Sequence, residues 1–407
     1  MLLGLSGCTQ DDQLQQPDIP INTSQTDSEV LVDGNNAFTF DLYQTLSQDD
    51  GNLFFSPYSI SEALAMAYAG ARGDTEKDMA EVLNFNLPQE RLHPAFNATD
   101  LQFKERSQVL GDKEGFQLNV VNAIWGQQGY DFLDEYLDVL EQHYGAGLRL
   151  MDFCNETEQS RITINQWVSD QTEGKIKDLI PQGTINEITR LVLTNAVYFN
   201  ANWQYPFDTR NTAAGLFYLL DGSSVLVPMM QQTKSLGYAE GAYYQAVELL
   251  YYGGETSMVI LLPAAGQFDN FEESLDADFV KGIIGDLETC RIALTMPKFE
   301  YESSFSLKQA LSAMGMGVAF TFPQADFSGM NGDYDLYISD VLHKAFISVN
   351  EYGTEAAAAS AITMPPSATS PPQPKELTID RPFIFLIRDI PTGSTIFIGR
   401  VLNPAAR

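Results

Sequence analysis

Apolar residues recur at helical spacing in two stretches of the first half of the chain. Ser56 and Pro57 match a helix start, with serine as the N-cap and proline at the first helical position. The apolar residues of 60–71 then fall on one face, and the many alanines there suit a helix buried among other elements. A second helical pattern covers 164–168 and is followed by Gly174, a residue typical of the end of a helix.

The second half of the chain favours strands. Residues 191–199 and 258–262 are rich in β-branched and aromatic side chains. Residues 383–387 and 395–401 flank a Pro-Thr-Gly turn, which predicts a hairpin. Because helices cluster in the first half and strands in the second, the pattern predicts an α+β fold. No repeat or linker divides residues 35–407, so we expect one domain there.

Composition and charge exclude several classes of partner. The 407 residues are 44% hydrophobic, which is enough for a large core, and the formal net charge is −31. A chain this acidic is repelled by nucleic-acid phosphates and by anionic lipids, so we expect no nucleic-acid partner. The simplest explanation of the charge is a solvated acidic surface. No apolar run reaches the roughly 18 residues that a membrane-spanning helix needs.

The first residues resemble the signal of a bacterial lipoprotein. Residues 5–8 read LSGC, like a lipobox whose cysteine is lipidated, although the stretch before it is too short for a full signal. We therefore expect 1–8 to be a truncated signal with a lipid on Cys8, and the polar residues 9–34 to be a disordered tether. An ordinary frayed terminus is the alternative. The expected location is secreted or cell-envelope, with membrane contact only through the lipid.

The residues that enzymes use are sparse. The histidines are His93, His143 and His343, and none belongs to an HExxH metal motif. No GxSxG nucleophile turn and no phosphate-binding GxxxxGK loop is present. Cys154 and Cys290 belong to no CxxC pair, and we expect both to be buried apolar thiols. The sequence predicts neither an enzyme nor a cofactor.

One segment does not suit an ordinary compact domain. Residues 350–381 form an unusually long connection between two strand-like segments. Its first part, 353–363, is made of small residues with one glutamate and no proline, so in extended form it could enter a sheet without overpacking. Its later part is rich in proline, which ends sheet pairing. The pattern indicates a potential strand followed by a segment that could bind in the active site of a protease. A linker or a short helix is the alternative.

Several motifs, in order along the chain, resemble those of the serpin family over residues 35–405. They are FSPYSI at 55–60, LTNAVYF at 193–199, MPKF at 296–299, DFSG at 326–329, HKA at 343–345, RPF at 381–383 and GRVLNP at 399–404. The resemblance implies a serpin fold, with helices packed on a large central sheet, further sheets and a reactive-centre loop at about 351–380.

The resemblance also implies a function, that of a suicide inhibitor. A target serine protease cleaves the loop and becomes trapped as a covalent acyl-enzyme while the loop inserts into the central sheet as a new strand. We expect such a protein to be monomeric and to need no cofactor. Some serpins do not inhibit, so a serpin-fold binding or scaffold protein of the cell envelope is the alternative.

Individual residues follow from the resemblance in three groups. The hinge that inserts comprises Gly353, Thr354, Glu355, Ala356, Ala357, Ala358, Ala359, Ser360 and Ala361. The breach, at the top of the sheet, comprises Glu351, Lys298 and Trp203. The shutter, a polar cluster under the sheet, comprises Ser56, Ser59, Asn195 and His343. The alternatives without a functional role are an exposed Glu351–Lys298 ion pair that contributes little to stability and a His343 that is simply part of the core.

The reactive bond is placed by counting along the loop. Counting from the hinge gives Ser367-Ala368, and counting back from the C-terminal hairpin gives a later position, so Thr369 and Ser370 are alternatives. No lysine or arginine occurs between Tyr352 and Lys375, which argues against a trypsin-like target. The small residues after the two prolines favour an elastase-like or subtilisin-like protease.

Overall fold

A computed structural model describes residues 25–109, 117–145, 147–354 and 373–406. The helices in these residues are α1 Gln25–Leu46, α2 Pro57–Tyr68, α3 Gly73–Val82, α4 Gln89–Val109, α5 Asp134–Tyr144, α6 Thr157–Gln171, α7 Phe268–Glu273, α8 Ala277–Gly285, α9 Lys308–Leu311 and α10 Ser328–Asn331. The strands are β1 Leu53–Phe55, β2 Gln117–Gln127, β3 Arg149–Met151, β4 Leu191–Asn202, β5 Ala213–Tyr218, β6 Ser224–Glu240, β7 Tyr244–Leu250, β8 Thr256–Pro263, β9 Glu288–Pro297, β10 Phe299–Ser306, β11 Ile338–Val349, β12 Gly353–Thr354, β13 Lys375–Thr378, β14 Phe383–Asp389 and β15 Thr395–Val401. No helix in the described ranges is both long and apolar enough to cross a membrane.

The strands form two sheets. The nine-stranded sheet runs β1-β15-β14-β8-β7-β6-β9-β13, with β5 paired to β6. The six-stranded sheet runs β10-β11-β4-β2-β3, and β12 lies between β11 and β4 at one end. The predicted hairpin is β14–β15, whose turn is closed by Gly393 in the left-handed region at φ 76°. The α+β class expected from the sequence is confirmed.

Helix α2 is buried along its whole length between the two sheets. It starts as the sequence predicts, because the Ser56 side chain accepts a hydrogen bond from the Ser59 backbone N–H and Pro57 occupies the first turn. Its alanine-rich surface contacts β2 and β4 on one side and β15 on the other. Small side chains allow this close approach. The serines at its start therefore lie directly beneath the six-stranded sheet.

The tether prediction is wrong for residues 25–34. They form the first turns of α1, where Leu31 and Val32 are buried and Asp27 pairs with Arg91 of α4. The few apolar residues of this polar stretch gain their packing only from α4 and the rest of the core, which local periodicity does not reveal. Cys8 and residues 9–24 lie outside the described residues.

The expectation of two buried thiols is also wrong. Cys154 is exposed and Cys290 is partly exposed. Cys154 follows the buried Phe153 in the turn before α6, where its sulfur lies 3.2 Å from the Glu187 carbonyl oxygen. Its position in this surface turn, rather than its apolar character, decides its exposure.

Candidate functional site

The boundary between β4 and β11 is the part of the six-stranded sheet that the hinge meets. The two strands pair in parallel from Leu191 and Ile338 up to Tyr198 and Phe346. Beyond that point β12 lies between them, so that Thr354 is opposite Ala201 on one side and Val349 on the other. The first two hinge residues thus already occupy a strand position at the upper end of this boundary.

Both residues of β12 fit this position closely. Thr354 is fully buried, and its hydroxyl lies 2.7 Å from that of Tyr251. Burial raises the pKa of Tyr251, so this phenol is neutral. A Cβ atom on Gly353 would lie 2.0 Å from the carbonyl oxygen of Ala201, so only glycine fits there. Glu355, Ala356, Ala357, Ala358, Ala359, Ser360 and Ala361 lie outside the described residues, as do Ser367, Ala368, Thr369 and Ser370.

The segment 350–381 contains two short strands in its described residues, the first at the start of the potential strand 353–363 and the second not expected from the sequence. Besides β12 at its start, the segment contains β13 near its end, paired in parallel with β9. Leu377 and Ile379 are buried, and they follow the proline-rich stretch too closely for local patterning to predict a strand. Within the predicted loop of about 351–380, the described residues Gly353–Thr354 and Lys375–Thr378 are therefore strand residues.

Trp203 directly follows β4 and forms hydrogen bonds to the start of the loop. Its indole stacks on the ring of Tyr251, with centroids 4.6 Å apart and planes at 9°. The indole N–H donates to the carbonyl oxygen of Asn350 at 3.0 Å, and the backbone N–H donates to that of Tyr352 at 2.7 Å. The structure thereby places Trp203 under the base of the loop.

The Glu351 side chain is held by Lys298, another member of the breach, and by Thr212. Its carboxylate lies 2.8 Å from Lys298 Nζ and accepts a hydrogen bond of 2.7 Å from the Thr212 hydroxyl. Its side chain is 6% exposed, whereas that of Lys298 is 36% exposed. Burial raises the pKa of Glu351, but the hydrogen bonds from Lys298 and Thr212 outweigh burial and leave its pKa below the ordinary value. The pair is therefore neither a free surface pair nor a fully buried one.

The four predicted shutter residues come together under the middle of the boundary. His343 Nδ1 bonds to Asn195 Oδ1 across the β11–β4 pair, and the Asn195 amide donates to Ser59 Oγ. The Ser56 backbone N–H points at His343 Nε2 from 3.4 Å. Because Nε2 accepts this hydrogen bond, the neutral imidazole carries its proton on Nδ1 and donates it to Asn195. Asn195 and His343 are both fully buried.

Sequence reasoning missed a fifth member, Asn122 of β2. Its Oδ1 accepts from Asn195 Nδ2, and its Nδ2 donates to the carboxylate of Glu62 at 2.8 Å. Burial, with a contribution from Asp100, raises the pKa of Glu62 well above its usual value. The signal available in the sequence was a polar residue in the apolar strand segment VVNAIW, at 120–125, which by itself does not identify a partner.

The shutter histidine is expected to make the protein sensitive to acid. Burial lowers the pKa of His343 to about 3, whereas an unfolded histidine titrates near 6.5. As the pH falls below about 6.5, the unfolded chain takes up a proton that the folded chain excludes, so stability decreases. Between pH 7 and pH 5 the loss is about 2 kcal/mol for this group.

Urea unfolding of the wild type and of His343→Gln at both pH values measures this contribution. The wild type is expected to lose about 2 kcal/mol more than the variant on going to pH 5. His93 of α4 is a second buried histidine, and burial lowers its pKa to about 3 as well. We expect His93→Gln to remove a similar part of the loss of stability between pH 7 and pH 5. An equal pH dependence in the wild type and His343→Gln would contradict the prediction.

The structure combines a parallel strand pair, the start of a long loop that lies between these strands at one end, and a buried histidine–asparagine cluster beneath them. Together these features define the serpin class of fold. The family model described as "Serpin (serine protease inhibitor)" matches residues 33–404. The chain belongs to the serpin family.

Its similarity to individual family members extends over most of the chain. An uncharacterized serpin-like protein of Thermococcus kodakarensis is 42% identical over 377 residues, covering 92% of this chain and 86% of that one. Leukocyte elastase inhibitor A of Mus musculus is 37% identical over 391 residues, covering 92% and 100%. The crystal structure of human thyroxine-binding globulin complexed with thyroxine has a TM-score of 0.82 at 29% identity, covering 93% of this chain and 100% of that one.

Proposed function

We propose that the protein is a suicide-substrate inhibitor of serine proteases. The observation that carries the proposal is β12, which places the start of the hinge between β11 and β4. The hinge residues that follow Thr354 are small apart from Glu355 and lack proline, so the same strand position can extend downward along the boundary. Membership of a family described as serine protease inhibitors supports this function.

The proposed reaction begins as ordinary proteolysis. The protease serine attacks the carbonyl carbon of Ser367, an ester forms, and the amine of Ala368 leaves with a proton. The freed hinge then inserts between β4 and β11 and carries the esterified protease with it. The eleven residues 353–363, which are the hinge and the two residues after it, span about 35 Å at about 3.3 Å each. The tethered protease is pulled against the inhibitor, its active site is distorted, and hydrolysis of the ester stalls.

We further propose an elastase-like or subtilisin-like target. The support is the run of small residues from Ser367 to Ser370 and the absence of basic residues between Tyr352 and Lys375. The similarity to leukocyte elastase inhibitor A agrees with this class. A monomer held at the cell envelope through a lipid on Cys8, or secreted, would meet such proteases outside the cell.

Incubation with pancreatic elastase and with subtilisin, followed by denaturing gels and activity assays, tests the function. We expect a covalent band near the summed masses, loss of protease activity, and release of a peptide that begins at Ala368. Cleavage only at Lys375 or beyond would contradict the proposed bond. Cleavage with both proteases fully active, repeated across a wider protease panel, would overturn the inhibitor function.

The alternative is a serpin-fold binding or scaffold protein whose loop is cleaved without trapping anything. The similarity to thyroxine-binding globulin supports this alternative, because that protein was solved in complex with a small molecule, thyroxine. Its expected result in the same experiment is a shortened chain and undiminished protease activity.

A further inference from the structure

Two histidines lie close together on neighbouring helices, outside the candidate functional site. His93 of α4 is 4% exposed, and His143 in the last turn of α5 is partly exposed. Their ring centroids are 6.4 Å apart, and the ring planes make an angle of 22°. Each ring has one buried nitrogen without a hydrogen-bond partner, Nε2 in His93 and Nδ1 in His143. Because an unpaired buried polar atom costs free energy, two of them side by side indicate that something can bind there.

Tyr144 occupies the other nitrogen of His93. Its hydroxyl lies 2.6 Å from His93 Nδ1 in the core. A histidine that binds a metal through one nitrogen commonly donates the other ring N–H to an oxygen, which fixes the orientation of the ring. With Nδ1–H donating to the Tyr144 hydroxyl, Nε2 of His93 has a lone pair that no donor meets. Burial lowers the pKa of both histidines, which keeps the rings in the neutral form that binds metals.

The separation of the two rings limits which metal ion they could share. With metal–nitrogen bonds of about 2.0–2.1 Å and ring nitrogens about 1.1 Å from the centroid, two imidazoles on one ion have centroids at most about 6.4 Å apart. The observed 6.4 Å therefore corresponds to rings on opposite sides of the ion. A tetrahedral ion such as Zn²⁺ would bring the centroids to about 5.2 Å. Square-planar sites are typical of Cu²⁺ and Ni²⁺, and Cu²⁺ binds most tightly of the divalent first-row ions.

We propose that His93 and His143 form a two-histidine site for Cu²⁺ that links α4 to α5. No third histidine, cysteine or carboxylate completes a larger ligand set in the part of the chain that the structure describes, so water would fill the remaining positions. The partial exposure of His143 gives the ion access from solvent. The net charge of −31 attracts cations to the surface. This site does not depend on protease trapping.

Titration of the full chain, without an added tag, with copper(II) chloride at pH 7 tests the site. Calorimetry measures the affinity, and pulsed electron paramagnetic resonance detects the remote nitrogen of each imidazole bound to the ion. We expect a tightly bound Cu²⁺ with the signal of two imidazoles. His93→Gln and His143→Gln should each remove that signal and weaken binding at least about tenfold. Tyr144→Phe keeps both ligands and should weaken binding about tenfold, because the orientation of the His93 ring is lost.

Glu141→Gln is the matched control, because it removes an exposed carboxylate two residues before His143 and leaves both rings in place. It should bind Cu²⁺ as the wild type does. Circular dichroism and the thermal midpoint without metal show whether each variant is folded. A wild type whose Cu²⁺ carries fewer than two imidazoles would overturn the site whatever the variants do. A two-imidazole signal that persists in either histidine variant would overturn the assignment of the ligands.

Discussion

Replacing Thr354 with arginine is expected to convert the proposed inhibitor into a substrate of its target protease. Thr354 is fully buried between β4 and β11, and insertion of the hinge has to keep that residue inside the sheet. A guanidinium at this position would have to leave water without a partner carboxylate, which costs several kcal/mol. An increase of about 1.4 kcal/mol in the barrier to insertion already shifts the competition between insertion and ester hydrolysis about tenfold.

The measurement is the number of inhibitor molecules consumed per protease inactivated, together with the covalent band on a denaturing gel. For Thr354→Arg we expect at least a tenfold increase in that number, with the cleaved chain replacing the covalent band. Thr354→Ser is the matched control, because it keeps the hydroxyl that meets Tyr251. Unchanged trapping by Thr354→Arg would show that residue 354 need not stay in the sheet during insertion of the hinge.

Removal of the Asn195 side chain is expected to produce the largest loss of stability among the shutter residues. Its amide donates to Ser59 and Asn122, and its oxygen bonds to His343, so Asn195→Ala leaves three polar groups short of a partner. Each unsatisfied buried group costs about 1–3 kcal/mol. The expected decrease in the free energy of unfolding is about 3 kcal/mol or more.

Urea unfolding of the intact protein at pH 7 measures this loss. Asn200→Ala is the control on the same strand, since Asn200 is partly exposed near the upper end of β4, and it should cost less than about 1 kcal/mol. Equal losses in the two variants would indicate that the shutter hydrogen bonds add nothing specific to the stability of the sheet.

The elements with strong local patterns could be predicted from the sequence. Residue types that favour one backbone conformation predict three of these elements, namely the helix cap at Ser56, the strand β4 and the hairpin β14–β15. The start of α1 and the strand β13 could not be predicted in the same way. Their apolar residues are few, and packing against distant elements stabilises them.

The candidate site shows the same division. The sequence, through its family resemblance, named Glu351, Lys298 and His343, but not the contacts that distinguish a structural role from a functional one. The sequence gave no partner for Thr212 or for Asn122, because a single polar residue in a strand-rich region does not show which distant residue it meets. They were identified only when the fold brought Thr212 to Glu351 and Asn122 to Asn195.

The sequence by itself determined the class of fold and the composition of the hinge, since both depend on residue types read in order along the chain. The tertiary structure decided the register, because the pairing of β12 with β4 depends on backbone hydrogen bonds between segments about 150 residues apart. That register places glycine at the tight contact with Ala201 and the Thr354 hydroxyl beside that of Tyr251. The local periodicity of the sequence contains no information on either contact, because both contacts form only when the strands pair in the folded protein.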